Sequence, residues 1–357
     1  MSSMWGKNLK ISIFGESHGE AIGVTVDGLQ AGFPLDFDLI NAEMQKRKPG
    51  GKLATPRKED DMPVILSGVF EGKTTGAPLT AVIYNKNTKS SDYEKMSHIA
   101  RPGHADYTAF VKYNGANDYR GGGHFSGRLT ACLVFAGAVC QQILKSQGID
   151  VTVHIKSISN VEDESFGIEI TEELISRLNE SCFPLIDQSK RELMENEIAL
   201  ATLQKDSVGG VIECAVVGLP AGVGSPMFDG VENKIASIVF GIPAVKGIEF
   251  GLGFGAAKVR GSQNNDEFLI DGEKIKTKTN NCGGILGGIT NGMPVLFRAA
   301  FKPTPSIAKQ QNTVDFLKKE NVVTQVVGRH DPCVVVRAAP VVKAAAAIAI
   351  LDLLSEK

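Results

Sequence analysis

The chain has 357 residues, 43% hydrophobic and 22% charged, the make-up of a soluble globular protein with material for one large or two fused units. Its 38 Lys and Arg stand against 40 Asp and Glu, a balance that excludes a global field for nucleic acid or membrane. The N-terminus lacks a signal-type apolar core and no run reaches the roughly eighteen apolar residues of a membrane span, so a cytoplasmic protein is expected.

In chain order, Leu9–Phe14 and Gly23–Val26 read as short strands rich in β-branched residues and bounded by glycine. Leu35–Lys46 reads as a helix capped by Asp36, with Phe37, Ile40 and Met44 on one face. It runs into a basic, glycine-rich stretch, KRKPGGKLATPRK, which carries Lys46, Arg47, Lys48, Lys52, Arg57 and Lys58. A helix end explains the first of these cations through its dipole, but not their continuation through a loop. Such a loop suits a multiply anionic small molecule, and its like charges predict that it is mobile until an anion orders it. A second helix opens at Ser126 or Arg128 and closes at Gly148, with small residues all round that predict burial against other backbone. A charged segment around Asp187–Asp206 reads as a surface helix, and the final VVKAAAAIAILDLLSEK as an internal one.

Glycine, at 39 residues, is well above its usual share of about 7%, as in chains with many tight turns or close approaches to a ligand. The six cysteines (Cys132, Cys140, Cys182, Cys214, Cys282, Cys333) form no C-x-x-C pair and sit mostly in apolar runs, so reduced, buried thiols are expected and no zinc framework. An internal repeat is visible. Gly28–Gly32 recurs as Gly218–Gly222, and GVFEGKTTGAPL (Gly68–Leu79) recurs as GILGGITNGMPV (Gly284–Val295). Two matches in the same order predict two similar α+β halves, roughly 1–150 and 205–357, packed about a pseudo-twofold axis.

Two familiar motifs fail on context. Gly15-Glu16-Ser17-His18-Gly19 fits the nucleophile elbow G-x-S-x-G, but only one strand precedes it and a strand rather than a helix follows. GLGFGAAK (Gly251–Lys258) resembles a dinucleotide fingerprint with Asp271 about twenty residues on, yet the segment that should be its helix is polar and broken by Gly261. What remains is a dispersed set of polar clusters beside glycine or proline, containing His18, His104, His124 and His330. A lone histidine in a loop is usually structural; four in glycine- or arginine-rich loops point to a shared anionic site. No pair has the helical i, i+4 spacing of metal ligands, and no metal is expected.

Together the motifs FGESHG (Phe14–Gly19), RPGHADYT (Arg101–Thr108), DYRGGGHFSGRLTA (Asp118–Ala131), GSQN (Gly261–Asn264), GGILGGI (Gly283–Ile289), KPTPS (Lys302–Ser306) and GRHDPC (Gly328–Cys333) resemble the chorismate synthase family over nearly the whole chain. The third block departs from the family's usual RGGGRSSARETA: His124 stands for an arginine, Phe125 for a serine, Gly127 for an alanine and Leu129 for a glutamate. The resemblance implies an α+β fold of two pseudo-symmetric halves, with helices layered between antiparallel sheets. It implies a carbon–oxygen lyase that removes phosphate from 5-enolpyruvylshikimate 3-phosphate by anti-1,4-elimination to give chorismate, the last common step to the aromatic amino acids. Reduced FMN, thought to lend an electron transiently to the breaking C–O bond, is required without net oxidation. A homotetramer is also implied.

By the same resemblance His18 protonates the departing phosphate, Ser17 orients substrate or flavin, His104 serves the reduced flavin and Asp331 assists proton removal. Histidine suits such work because its unperturbed pKa of about 6.5 lies near working pH. The resemblance makes Arg47, Arg57, Arg128 and Arg337 the candidate clamps for the substrate's carboxylates and phosphate. His124, Phe125, Ser126, Pro243, Ala244, Asn264, Gly287, Lys302, Pro303, Thr304, Pro305, Ser306 and Arg329 are the flavin positions. No flavin-reductase domain is evident, so a monofunctional enzyme supplied with reduced flavin by the cell is expected. The residues alone leave two other readings open: a different flavin- or nucleotide-binding oxidoreductase, and a non-catalytic anion-binding protein.

Overall fold

The computed structural model describes residues 3–48, 61–86, 97–326 and 331–356. Two antiparallel sheets of five strands form its outer layers. The first runs, across the sheet, Met4–Trp5, Lys10–Gly15, Ala21–Asp27, Leu79–Tyr84 and Val64–Ser67. The second runs Val245–Phe250, Val295–Phe301, Gly210–Val217, Asp150–Ile158 and Val161–Glu162.

The helices in chain order are α1 (Phe37–Arg47), α2 (Asp106–Tyr113), α3 (Thr130–Ser146), α4 (Glu172–Glu180), α5 (Lys190–Leu203), α6 (Val231–Val239), α7 (Gly261–Asn264) and α8 (Val335–Leu354). Helices α3 and α8 lie between the sheets: α3 touches strands of both, and α8 packs on α3 and the second sheet.

Why these two helices are internal is written in their side chains. Residues 130–140 of α3 are buried without interruption, as are residues 338–353 of α8. A helix apolar all round has no solvent face, so it must be enclosed. Their axes come close because Gly137 has no side chain: a Cβ there would lie 2.2 Å from Ala344 Cβ and 2.4 Å from its Cα. Among the described residues the stretch Gly127–Ser146 is the one helix long and apolar enough to cross a bilayer, which the sequence reading did not anticipate, and it is mostly buried inside the protein.

The sequence-predicted elements appear with shifted ends. The Asp36 side chain caps α1, accepting from the backbone N–H groups of Asp38 at 2.9 Å and Leu39 at 3.1 Å. Ile40 and Met44 are buried as expected, but Phe37, in the first turn of α1, is 38% exposed. The C-terminal helix starts earlier than expected and carries Pro340 within it. It is tied to the first sheet by Asp352, whose Oδ1 accepts from the N–H groups of Lys7, Asn8 and Leu9 at 2.9, 2.7 and 2.9 Å.

Cysteines 132, 140, 214 and 333 are buried and Cys282 half-buried, whereas Cys182 is exposed, so burial of the thiols is incomplete. Burial pushes the Cys132 and Cys333 thiols up to about 12, which keeps them protonated and unreactive.

The two segments singled out as repeats make the same hydrogen bonds. Thr74 Oγ1 donates to Gln30 O at 2.7 Å and accepts from Phe33 N at 2.9 Å. Thr290 Oγ1 donates to Pro220 O at 2.7 Å and accepts from Val223 N at 2.9 Å. Gly68 and Gly284, at φ +85° and +79°, each accept through their carbonyl from the residue after that threonine.

One charged cluster lies wholly inside, beneath the second sheet. The His154 ring has its Nδ1 3.0 Å from Asp163 Oδ2 and its Nε2 2.9 Å from Glu213 Oε2, with no solvent exposure. Burial alone would lower the histidine's pKa, but hydrogen bonds and charge from the two carboxylates outweigh it and hold the pKa above its usual value. A raised folded-state pKa means that the imidazolium stabilises the fold fully below its unfolded value of about 6.5. That contribution is lost as pH rises through the folded value. Unfolding free energy should therefore fall as pH increases from about 6.5, and His154→Gln should remove that part of the slope. Denaturant titrations of both proteins across this range measure it; parallel profiles would show that His154 is neutral.

Candidate active site

The N-terminal ends of α3 and α8 open onto one cavity of about 1190 Å³ between the two sheets. The loops carrying Ser17 and residues 101–106, 117–128 and 302–306 furnish much of the rest of its wall, and backbone carbonyls tie them together. Ser17 N–H donates to Gly123 O at 3.1 Å, Arg101 Nη2 to Gly121 O at 2.8 Å, and Lys302 Nζ to Gly103 O at 2.6 Å.

Glycine is required at two of these crossings. A Cβ on Gly121, at φ +68°, would lie 2.3 Å from His18 Cε1, and one on Gly103, at φ +75°, 2.8 Å from Pro305 Cβ. Arg101, on the cavity wall, is 6% exposed and its guanidinium forks onto Asp106, with Nε and Nη2 at 2.8 and 2.7 Å from the carboxylate, which holds the loop in shape.

The residues expected to do chemistry meet here. Ser17 Oγ lies 3.1 Å from His18 Nδ1, and His104 Nε2 lies 2.7 Å from Ser306 Oγ. Asp331 is ion-paired with Arg337 Nη1, while Arg337 Nε donates to Arg47 O at 3.0 Å. Ser17, His18, His104, Asp331, Arg47, Arg128 and Arg337 all line the cavity. So do His124, Phe125, Ser126, Pro243, Ala244, Lys302, Thr304, Pro305 and Ser306.

His124, which stands where the resemblance has an arginine, is held between Gly15 O at 2.8 Å and Ser3 Oγ at 2.7 Å. A carbonyl only accepts, so Nδ1 carries a proton. Ala244 adopts φ +75°, a left-handed conformation that costs a non-glycine residue about 1–3 kcal/mol. Its carbonyl accepts from Lys302 N at 3.0 Å, which joins the Pro243-Ala244 turn to the KPTPS loop.

Three expected positions lie elsewhere in this chain. Asn264 on α7 and Gly287 at an exposed hairpin turn do not line the cavity, and Pro303 is exposed between two residues that do. Arg57 and Arg329, with His330 and the cationic loop beyond Lys48, lie outside the described residues.

Several lining or supporting residues carried no motif. Trp5, the single tryptophan of the chain, lines the cavity and donates from Nε1 to Ser237 Oγ at 2.7 Å. Asn85 Nδ2 donates to Glu16 O at 3.0 Å and Gly19 O at 2.9 Å, while its Oδ1 accepts from Arg128 Nε at 3.1 Å. One amide thus sets both the serine–histidine loop and an arginine. Asp118 faces the same cavity; its hydrogen bonds from Arg120 hold its carboxyl below the usual range despite partial burial.

A family model described as chorismate synthase matches residues 9–354. A relative from Dehalococcoides mccartyi named chorismate synthase is 48% identical over 354 residues, covering 99% of this chain and 96% of its own. Another of that name from Thermococcus kodakarensis is 48% identical over 349 residues, covering 98% and 96%. A solved structure, "Crystal Structure of Chorismate Synthase", superposes with a TM-score of 0.76 at 29% identity, covering 98% of this chain and 92% of that one. The α+β fold and its arginine-lined cavity are those of a carbon–oxygen lyase acting on phosphates. The chain belongs to the chorismate synthase family.

The packing of His18 against Gly121 gives a direct test of the cavity as a catalytic site. Gly121→Ala should displace the His18 ring without unfolding the loop's anchors. Turnover is expected to fall by up to about 10²-fold while circular dichroism stays that of the parent. Unchanged turnover in the folded variant would show that the ring's position is not used.

Proposed function

We propose that the protein converts 5-enolpyruvylshikimate 3-phosphate to chorismate with reduced FMN bound in the same cavity, with Ser17, His18, His104, Asp331, Arg47, Arg128 and Arg337 as the working residues. The observation that supports this most is their convergence, from five separate segments, on one cavity of about 1190 Å³. That volume exceeds the range of about 300–1,000 Å³ usual for one drug-sized ligand, which suits a flavin and a substrate together.

The wall also fits a flavin. The strained turn at Ala244 brings backbone close to the cavity, and Thr304 Oγ1 is buried with no hydrogen-bond partner among the described residues. Ser306 and Lys302 flank it on the same loop. Reduced FMN, when bound, supplies electron density to the breaking C–O bond and regains it.

The chain's own residues account for the remaining work. Arg47, Arg128 and Arg337 bind the substrate's phosphate and carboxylates through charge-assisted hydrogen bonds. As the C–O bond to phosphate breaks, its electron pair leaves with the phosphate and His18 protonates the departing oxygen. To give up that proton His18 starts as the imidazolium, its Nδ1–H donating to Ser17 Oγ and its Nε2–H passing to the phosphate, which leaves a neutral ring. Asp331, oriented by Arg337, takes up the proton lost from C6. His104, oriented by Ser306, holds a proton at the flavin side. The new C=C bond forms with no net change in oxidation state.

The chain is also proposed to be one domain of two pseudo-symmetric halves, 1–150 and 205–357, which the matching hydrogen bonds around Thr74 and Thr290 support. A homotetramer is implied by the family resemblance, and a cytoplasmic location is the sequence's own default. Exposed apolar side chains such as Phe228 and Phe254, each 84% exposed, suit contacts between subunits.

An anaerobic assay with reduced FMN tests the reaction, chorismate being followed directly. His18→Ala should lower the turnover number by roughly 10²–10⁴-fold, the usual share of general acid catalysis, with flavin binding kept. His104→Ala should instead change the absorption spectrum of bound reduced flavin together with the rate. Full turnover in folded His18→Ala would refute the acid role. Reduced flavin oxidised in step with product would favour an oxidoreductase.

A further inference from the structure

Asp61 stands between two of the cavity's arginines. Its Oδ2 accepts from Arg47 Nη1 at 2.6 Å, and its Oδ1 accepts from Arg128 Nη1. The carboxylate is wholly shielded from solvent, and the Arg47 side chain is 4% exposed. Both arginines line the cavity whereas Asp61 does not, so the carboxylate grips them from behind.

Each guanidinium has a further fixed point. Arg47 Nε donates to Thr130 Oγ1 at 3.2 Å and Nη2 to Gly127 O at 3.3 Å, both at the N-terminal end of α3. Arg128 Nε donates to Asn85 Oδ1 at 3.1 Å. The bridge brings together residues from α1, from the lead-in to α3 and from the segment entering the first sheet.

From this geometry we infer that Asp61 is a positioning residue: it clamps Arg47 and Arg128 into one rigid pair that presents to the anionic substrate a preset hydrogen-bonding face. The inference rests on the proposed function for the identity of the substrate. Its reasoning is physical. A buried carboxylate subtracts one charge from the site, so on charge alone it weakens anion binding. Two guanidiniums close together, however, repel each other and can each take many rotamers. One carboxylate between them offsets the repulsion and removes that freedom before the substrate arrives, which lowers the entropic cost of binding.

The two effects have opposite signs, and Asp61→Asn separates them. The substitution keeps the shape and adds one unit of positive charge. If Asp61 acts by position, folded Asp61→Asn should bind 5-enolpyruvylshikimate 3-phosphate more weakly. KM should rise and kcat/KM should fall by up to about 10²-fold. Asp61→Glu, which keeps the charge with a longer reach, should recover part of the loss.

Inorganic phosphate, titrated calorimetrically into parent and variant, repeats the comparison without turnover. It keeps the test independent of the reaction assigned to the parent enzyme. Unchanged or tighter binding of both ligands in Asp61→Asn would overturn the inference, since a carboxylate that only neutralises predicts that result. If Asp61→Asn does not fold by circular dichroism, the folded Asp61→Glu carries the test. A raised KM supports positioning, and parental KM contradicts it.

Discussion

The arrangement depends on the close crossing of two internal helices. Gly137 leaves no room for a side chain against Ala344, so α3 and α8 touch along their small-residue faces between the sheets. Because neither helix has a solvent face, the sheets must cover both, and the N-terminal turns of the two helices come out at the same end. Gly127–Thr130 leads α3 into the cavity, and Val334–Ala338 leads α8 into it. Helix N-termini favour anions, so the core packing itself faces two positive ends toward one space. Arg128 and Arg337 ride on those ends, and Asp331 precedes the second.

Around this frame the loops are set by backbone contact more than by side-chain packing. The serine–histidine loop rests on Gly121 and Gly123 and its carbonyls accept from Asn85 and His124, while the His104 loop rests on Pro305 and its Gly103 carbonyl accepts from Lys302. At Gly121 and Gly103 a Cβ would press on His18 and Pro305, which accounts for glycine at those crossings. Asn85 on the cavity wall and Asp61 behind it add side-chain anchors. Asn85 holds Arg128 and Asp61 holds both Arg47 and Arg128, each from a segment without catalytic residues of its own, and so the cation geometry is shared among distant parts of the chain.

Much of this was legible in the sequence. The small, apolar periodicity of Leu129–Ser146 and of the C-terminal alanine run announced internal helices, and the twin glycine motifs announced the matching Thr74 and Thr290 turns. The clusters around His18, His104, His124 and Lys302 were visible as polar residues among glycines, and they do converge on one cavity. What the sequence hid depended on long-range contact. Phe37 fits an apolar stripe yet stays exposed in the first turn of α1. Trp5 sits before any motif, and its role appears only when the first strand folds along the cavity. Asp61 closes an acidic run just after the basic stretch, and that neighbouring charge reversal was the available signal. Which cations it would neutralise could not be read from sequence order, since Arg128 is brought to it only by the fold. Asn264 and Gly287, carried over by resemblance, lie apart from this chain's cavity.

The central claim is that one cavity holds flavin and phosphate-bearing substrate together. The affinity of FMN, measured by fluorescence titration with and without saturating 5-enolpyruvylshikimate 3-phosphate, tests it most directly, because ligands sharing a wall and its cations must be coupled. The account predicts that substrate tightens FMN binding. An FMN affinity that is the same in both titrations would contradict it.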